Sequence, residues 1–257
     1  HINRINGQTG QVTQVAEESS DNGSLGAESI ATDAAGNIYT LRNHIVDTVT
    51  RIDPSGVVTT FAGGGGAVID SVASVGALAT SVNLQQPLDV FVDASGYVYI
   101  SVYNYIIVVD PDGIIKRIIG NGVNGFPVDG DSGLNLSITA PRQIAVDTSG
   151  NIFFSMDTRI WRIDAVDNAV KTYVPSGLSS WVLDMSPDGA GNLFYADSSK
   201  AYIWDTTTDT TTVITLPNTN DTVRGLAVVP NGDLFVYQDT SQVSLLQGYA
   251  TPFPNTG

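Results

Sequence analysis

Short apolar runs alternate with turns containing Asp, Gly or Pro along almost the whole chain, and no stretch sustains a helical period. The third unit shows the pattern. Ile144-Ala145-Val146 is followed by a turn at Asp147 to Gly150 and a second apolar run from Asn151 to Ser155. Ile160-Trp161-Arg162-Ile163 alternates, Asp164 to Asn168 turns, and Val170 to Val174 closes the unit. Turn signals this frequent, with Gly free to take positive φ and Asp able to accept from turn amides, predict four short antiparallel strands per unit.

The unit recurs. Its landmark glycines at 36, 96, 150, 191 and 232 are separated by 60, 54, 41 and 41 residues, so a basic unit near 41 carries two inter-repeat insertions. Four strands in about 40 residues define a propeller blade. The chain is therefore expected to be all-β, a β-propeller of five four-stranded antiparallel blades; an inner strand pair lost before His1 would make six. His1 to Ile5 reads as a third strand, Gln11 to Ala16 as a fourth, and Gln242 to Leu246 as another third. Pairing N-terminal with C-terminal strands would close the ring and protect its edges. Residues 1–248 form one propeller on this reading, and 249–257 a Pro-rich tail or linker.

Gly120-Asn121-Gly122, Gly125-Phe126, Asp129-Gly130-Asp131, Leu136, Pro141, Ile144 to Asp147 and Gly150-Asn151 resemble the linker and blade signature of NHL-repeat β-propellers. The triplet that names that family occurs once, as Asn43-His44-Ile45. The resemblance implies the propeller fold. For activity it implies little, because that family includes interaction scaffolds as well as lyases and hydrolases.

Composition narrows the function. Of 257 residues, 26 are acidic and 11 basic, a net charge of −15, which opposes nucleic-acid binding. No cysteine is present, so disulfides, thiolate metal sites and cysteine nucleophiles are excluded. A start at His1 reads as processed or excised; with no thiol and few lysines the chain is expected to be secreted or cell-surface, the alternative being a cytosolic acidic protein cut from a longer chain. No apolar run reaches the ~18 residues of a membrane helix, so no membrane span is expected. The sequons at Asn22, Asn135 and Asn220 are as many as composition alone would give.

Candidate chemistry is sparse. The positions that begin the innermost strands, around the channel rim, read Glu28, Leu88, Arg142, Trp181 and Arg224, which is not a calcium cage. The ends of the second strands offer Asp157, Asp197 and Asp239, which would ring one face and hold a cation or sugar, or serve as repeated inter-strand acceptors. Asp129 and Asp131 are the candidate metal ligands, with turn chemistry as the simpler role. No cofactor is required, Ca²⁺ being the one ion these carboxylates would suit. Gly63 to Gly66 lacks the lysine and helix of a phosphate loop and reads as a linker. The function expected is a non-enzymatic scaffold for protein or glycan interaction. A subunit of a surface filament or layer assembled through terminal strands is one alternative, and a divergent metal-dependent lactonase or lyase another.

Overall fold

In the computed structural model the chain is all-β and folds as a five-bladed propeller. The structure describes residues 2–5, 12–16, 29–42, 47–70, 73–133, 135–173, 178–216, 221–229, 233–239 and 242–246. An N-terminal hairpin pairs β1 (Ile2–Ile5) with β2 (Val12–Ala16). Blade one comprises β3 (Ile30–Thr32), β4 (Ile38–Arg42), β5 (Thr48–Ile52) and β6 (Val58–Gly63). Blade two comprises β7 (Asp89–Val92), β8 (Val98–Val102), β9 (Tyr105–Val109) and β10 (Ile115–Ile119). Blade three comprises β11 (Ile144–Val146), β12 (Ile152–Met156), β13 (Arg159–Ile163) and β14 (Val170–Tyr173). Blade four comprises β15 (Asp184–Pro187), β16 (Asn192–Ala196), β17 (Ala201–Asp205) and β18 (Thr210–Ile214). Blade five holds β19 (Val223–Val228), β20 (Leu234–Gln238) and β21 (Gln242–Leu246) among the described residues. Every sheet is an antiparallel meander.

The turn chemistry is repeated. Between the first and second strands Asp33, Asp93, Asp147 and Asp188 each accept backbone N–H bonds of 2.8–3.0 Å from the following turn. Gly150, at φ 83°, completes one of these turns in a conformation that a β-carbon disfavours. Between the third and fourth strands Asp53, Asp110, Asp164 and Asp205 do the same. Close approach accounts for two members of the Gly63 to Gly66 run: a β-carbon on Gly63 would overlap the Asp47 carbonyl oxygen, and Gly65 is tighter still. The insertion after blade one, with its 3-10 turn at Ala79–Ser81, packs so tightly on Gly65 that a β-carbon there would overlap the Ser81 backbone.

Side chains on the two faces of each sheet fill the spaces between blades. Blades one and two share a cluster containing Tyr39, Leu41, Val98 and Ile107. Blades two and three bury Ile106, Phe154 and Trp161; three and four bury Phe153, Tyr195 and Trp204; four and five bury Phe194, Leu226 and Val236. Phe154 stacks on Trp161 and Tyr173 on Trp204, at centroid distances of 5.8 and 3.9 Å. No such cluster joins blade five to blade one among the described residues. Ile30 of β3 is 55% exposed, although its counterparts Val90, Ile144, Met185 and Leu226 are buried.

The N-terminal strands differ from expectation, while the C-terminal one lies where it was expected. β1 and β2 pair only with each other among the described residues, while β21 takes the third place in blade five by hairpin from β20. A connection of three residues costs far less closure entropy than bringing together strands from opposite ends of the chain. The proposed tail lies outside the described residues.

Trp161 is fully buried and its indole N–H donates to the Pro127 carbonyl at 3.1 Å. Trp161→Ala is expected to cost about 3–5 kcal/mol in urea unfolding, whereas Val166→Ala, at a 93% exposed position, should stay within about 0.5 kcal/mol.

Candidate functional site at the central channel

All five inner strands border one cavity of about 500 Å³, which is the propeller channel; Ser29, Asp89, Gln143, Asp184, Arg224 and Leu226 are among its walls. Ser29, Asp89, Gln143, Asp184 and Gly225 occupy equivalent places, each opposite the corresponding residue of the second strand. An inner strand has no ladder partner on its channel edge, so its amides there need other acceptors. The Ser29 hydroxyl accepts from the Val90 amide at 3.2 Å, and the Asp89 carboxylate accepts from Ile144 at 2.7 Å. Asp184 accepts from Leu226 at 2.8 Å, and Ser186 from Val228 at 3.2 Å. In each case one blade's side chain caps the next blade's inner strand. Ser29 also donates to Asp89 at 2.6 Å, tying three consecutive blades through one carboxylate.

Burial governs the titration of these acids. Loss of hydration pushes the Asp89 carboxyl up to about 7 against the opposing bonds from Ser29 and Ile144, with the Asp184 charge adding to the rise. Burial likewise lifts Asp184 to about 6, opposed by the Leu226 and Met185 amides.

The mouth of the channel carries a second cavity of about 180 Å³ formed by Leu88, Arg142, Gln143, Trp181, Val182 and Leu183. The Arg142 guanidinium carbon sits 3.9 Å from the Trp181 ring centroid, a cation–π contact worth about 0.5–1 kcal/mol at an exposed site. Trp181 remains 47% exposed. The rim prediction thus brings Leu88, Arg142 and Trp181 together. Arg224 borders the larger cavity and forms a two-pronged pair with Asp239 at 2.6 and 3.1 Å. Glu28 lies outside the described residues, as do Asn43, His44, Asn22 and Asn220.

The three second-strand aspartates do not occupy equivalent places. The pairings Gln143↔Ser155, Asp184↔Ala196 and Gly225↔Tyr237 align Asp157 with Asp239 but set Asp197 one residue earlier. In a strand that shift turns a side chain to the other face. Asp157 is an exposed turn residue at φ 55°. Asp197 is fully buried; burial pushes its carboxyl up, but bonds from Ser179, Ser199 and Lys200 hold it below the usual range. Asp129 accepts from the Thr172 amide at 2.5 Å and Asp131 from Val128 at 2.9 Å, so both carboxylates bind backbone. No group of three or more His, Asp or Glu side chains able to hold a metal ion occurs among the described residues. Asn135 is exposed.

Asp89 and Asp184 were not among the residues singled out from sequence, which placed the channel one position early in four blades and three positions early in blade four, at Trp181. The legible signal was an acid or hydroxyl at the equivalent inner-strand place in three of five units: Ser29, Asp89 and Asp184.

No family model and no curated protein matches the sequence. Solved structures do match. Virginiamycin B lyase from Staphylococcus aureus superposes with a TM-score of 0.55 at 15% identity, over 88% of this chain and 70% of that one. Its catalytically inactive histidine-to-alanine variant with quinupristin gives 0.56 at 16%, over 88% and 70%. An extracellular domain from B. thetaiotaomicron, assigned to a hybrid two-component system, gives 0.53 at 13%, over 84% of this chain and 26% of that one. At these identities the likeness defines the class by fold alone, a β-propeller. No helix among the described residues is long and apolar enough to cross a membrane.

A raised carboxyl pKa means that the folded state binds more protons than the unfolded state between the ordinary value of 3.8 and about 7. Stability contributed by Asp89 and Asp184 is therefore greatest at the acid end of that window and falls as pH rises through it. The thermal midpoint is expected to be higher at pH 5 than at pH 8, and Asp89→Asn with Asp184→Asn to flatten the difference; calorimetry across that range checks both.

Proposed function

We propose that this chain is a non-enzymatic, NHL-type propeller displayed outside the cell, presenting the mouth of its channel to a protein or glycan partner. The observation that carries this reading is the exposed Arg142–Trp181 pair over an open cavity, beside channel groups already committed to structure. Ser29, Asp89 and Asp184 hold backbone amides, so they are poorly placed to act as mobile acids or bases. The lyase neighbour has an inactive variant in which a histidine is replaced. Neither channel cavity has a histidine among its described walls. Placement outside the cell is supported by the sensor-type extracellular domains of similar fold. Screening the protein on glycan arrays and against secreted-protein panels tests the reading. A ligand should lose about tenfold or more in affinity with Trp181→Ala and retain it with Val166→Ala, at the exposed turn between β13 and β14. Equal binding by both variants, or turnover of quinupristin by the native chain, would overturn it.

A second reading, self-assembly through terminal strands, is favoured by a separate observation. The β1–β2 hairpin pairs with no other strand among the described residues, Ile30 is exposed at the seam, and Leu245 on β21 is 46% exposed. A second copy adding its hairpin along the edge of β21 left open among the described residues would supply blade five with a fourth strand. Light scattering should then show concentration-dependent polymers that disappear when residues 1–16 are removed; a monomer at all concentrations contradicts it.

A further inference from the structure

The geometry points to a specific ligand chemistry at the mouth: we propose that it takes a free carboxylate carried on a small apolar body, an inference that rests on the mouth being the recognition face. Lys116, Arg162, Lys171 and Arg224 all lie against aspartates, at 2.6–3.0 Å. Arg142 is held differently. In a chain with 26 acidic residues, its guanidinium rests on an indole and its side-chain N–H groups meet no acceptor among the described residues. Stacking occupies the face of a guanidinium and leaves its planar edge of donors, which matches the two oxygens of a carboxylate. The fork is therefore oriented before a ligand arrives, which reduces the entropy lost on binding.

The remaining walls define what the carboxylate is attached to. Leu88, Val182 and Leu183 are apolar, and Gln143 supplies one amide. The cavity of 180 Å³ holds about six atoms at roughly 30 Å³ each, the size of a branched aliphatic side chain. A doubly charged phosphate suits the place less well, because the chain carries −15 overall and Asp89 and Asp184 border the adjoining cavity. The lining is mixed, with Gln143 and Arg142 beside the carbon surface of Leu88 and Leu183, while Val182 is itself buried.

Titration calorimetry with N-acetyl-leucine, N-acetyl-leucinamide, glucuronate and inorganic phosphate tests the assignment on the intact chain. Saturable millimolar binding of N-acetyl-leucine is expected, weakened about tenfold or more in the amide and in Arg142→Gln, with Arg142→Lys between. Circular dichroism of each variant checks that the exposed substitution leaves the fold intact. No saturable binding, equal binding of acid and amide, an unaffected Arg142→Gln, or tighter binding of glucuronate or phosphate overturns the carboxylate assignment. If acid and amide bind alike and Trp181→Ala abolishes both, the mouth remains the recognition face and only the chemistry falls. If binding ignores Trp181→Ala, the mouth itself is excluded.

Discussion

The innermost strand of each blade has an edge that no other strand can pair, because the blades diverge from an axis rather than lying in one sheet. That edge must find acceptors or leave amides unsatisfied where water is restricted. Here the solution is a side chain from the preceding blade. Ser29, Asp89 and Asp184 each accept the amide one place along in the next inner strand. These bonds act between units that meet largely through apolar side chains, with a few polar contacts such as Arg117–Asn168 and Lys171–Asp209, so they help fix the register of one blade on the next. Apolar packing alone is non-directional and tolerates sliding. The consequence is that a buried carboxylate, Asp89, and a half-buried one, Asp184, stand beside the channel, and their raised affinity for protons follows from the hydration lost there.

The same series shows where the ring is held less firmly. Gly225 takes the equivalent place in blade five and has no side chain to cap blade one. A β-carbon on it would lie 3.3 Å from the Asp184 carboxylate, so the clasp from blade four constrains the residue that might have continued the circuit. The exposed Ile30 across that seam has the apolar character of its buried counterparts.

The large negative charge acquires a structural explanation. Eight aspartates organise turns by accepting backbone amides, and others bind strand amides or pair with nearby cations. Acidic residues are numerous because blades one to four each use them twice in their turns. Against that background Arg142, stacked on an indole with no carboxylate partner among the described residues, contrasts with Lys116, Arg162, Lys171 and Arg224. The blade count, the strand positions and these turns were legible because period-two patterning and Asp-Gly punctuation are local properties. The clasp was not. Asp89 resembles any strand-leading polar residue until the neighbouring blade places Ile144 within 2.7 Å. Arg142 and Trp181 lie 39 positions apart, and only blade packing brings them into contact. The misalignment of Asp197 had the same origin: a one-residue difference in register leaves composition unchanged but reverses the face.

Amide hydrogen exchange at Val90, Ile144 and Leu226 probes the inter-blade clasp most directly, since these donors lie on strand edges with no ladder partner there. If side-chain acceptors lock the inner strands, the three amides exchange only through global opening, and Asp89→Ala selectively releases Ile144. Rapid exchange at all three in the native chain, or indifference of Ile144 to loss of the Asp89 carboxylate, would contradict the account.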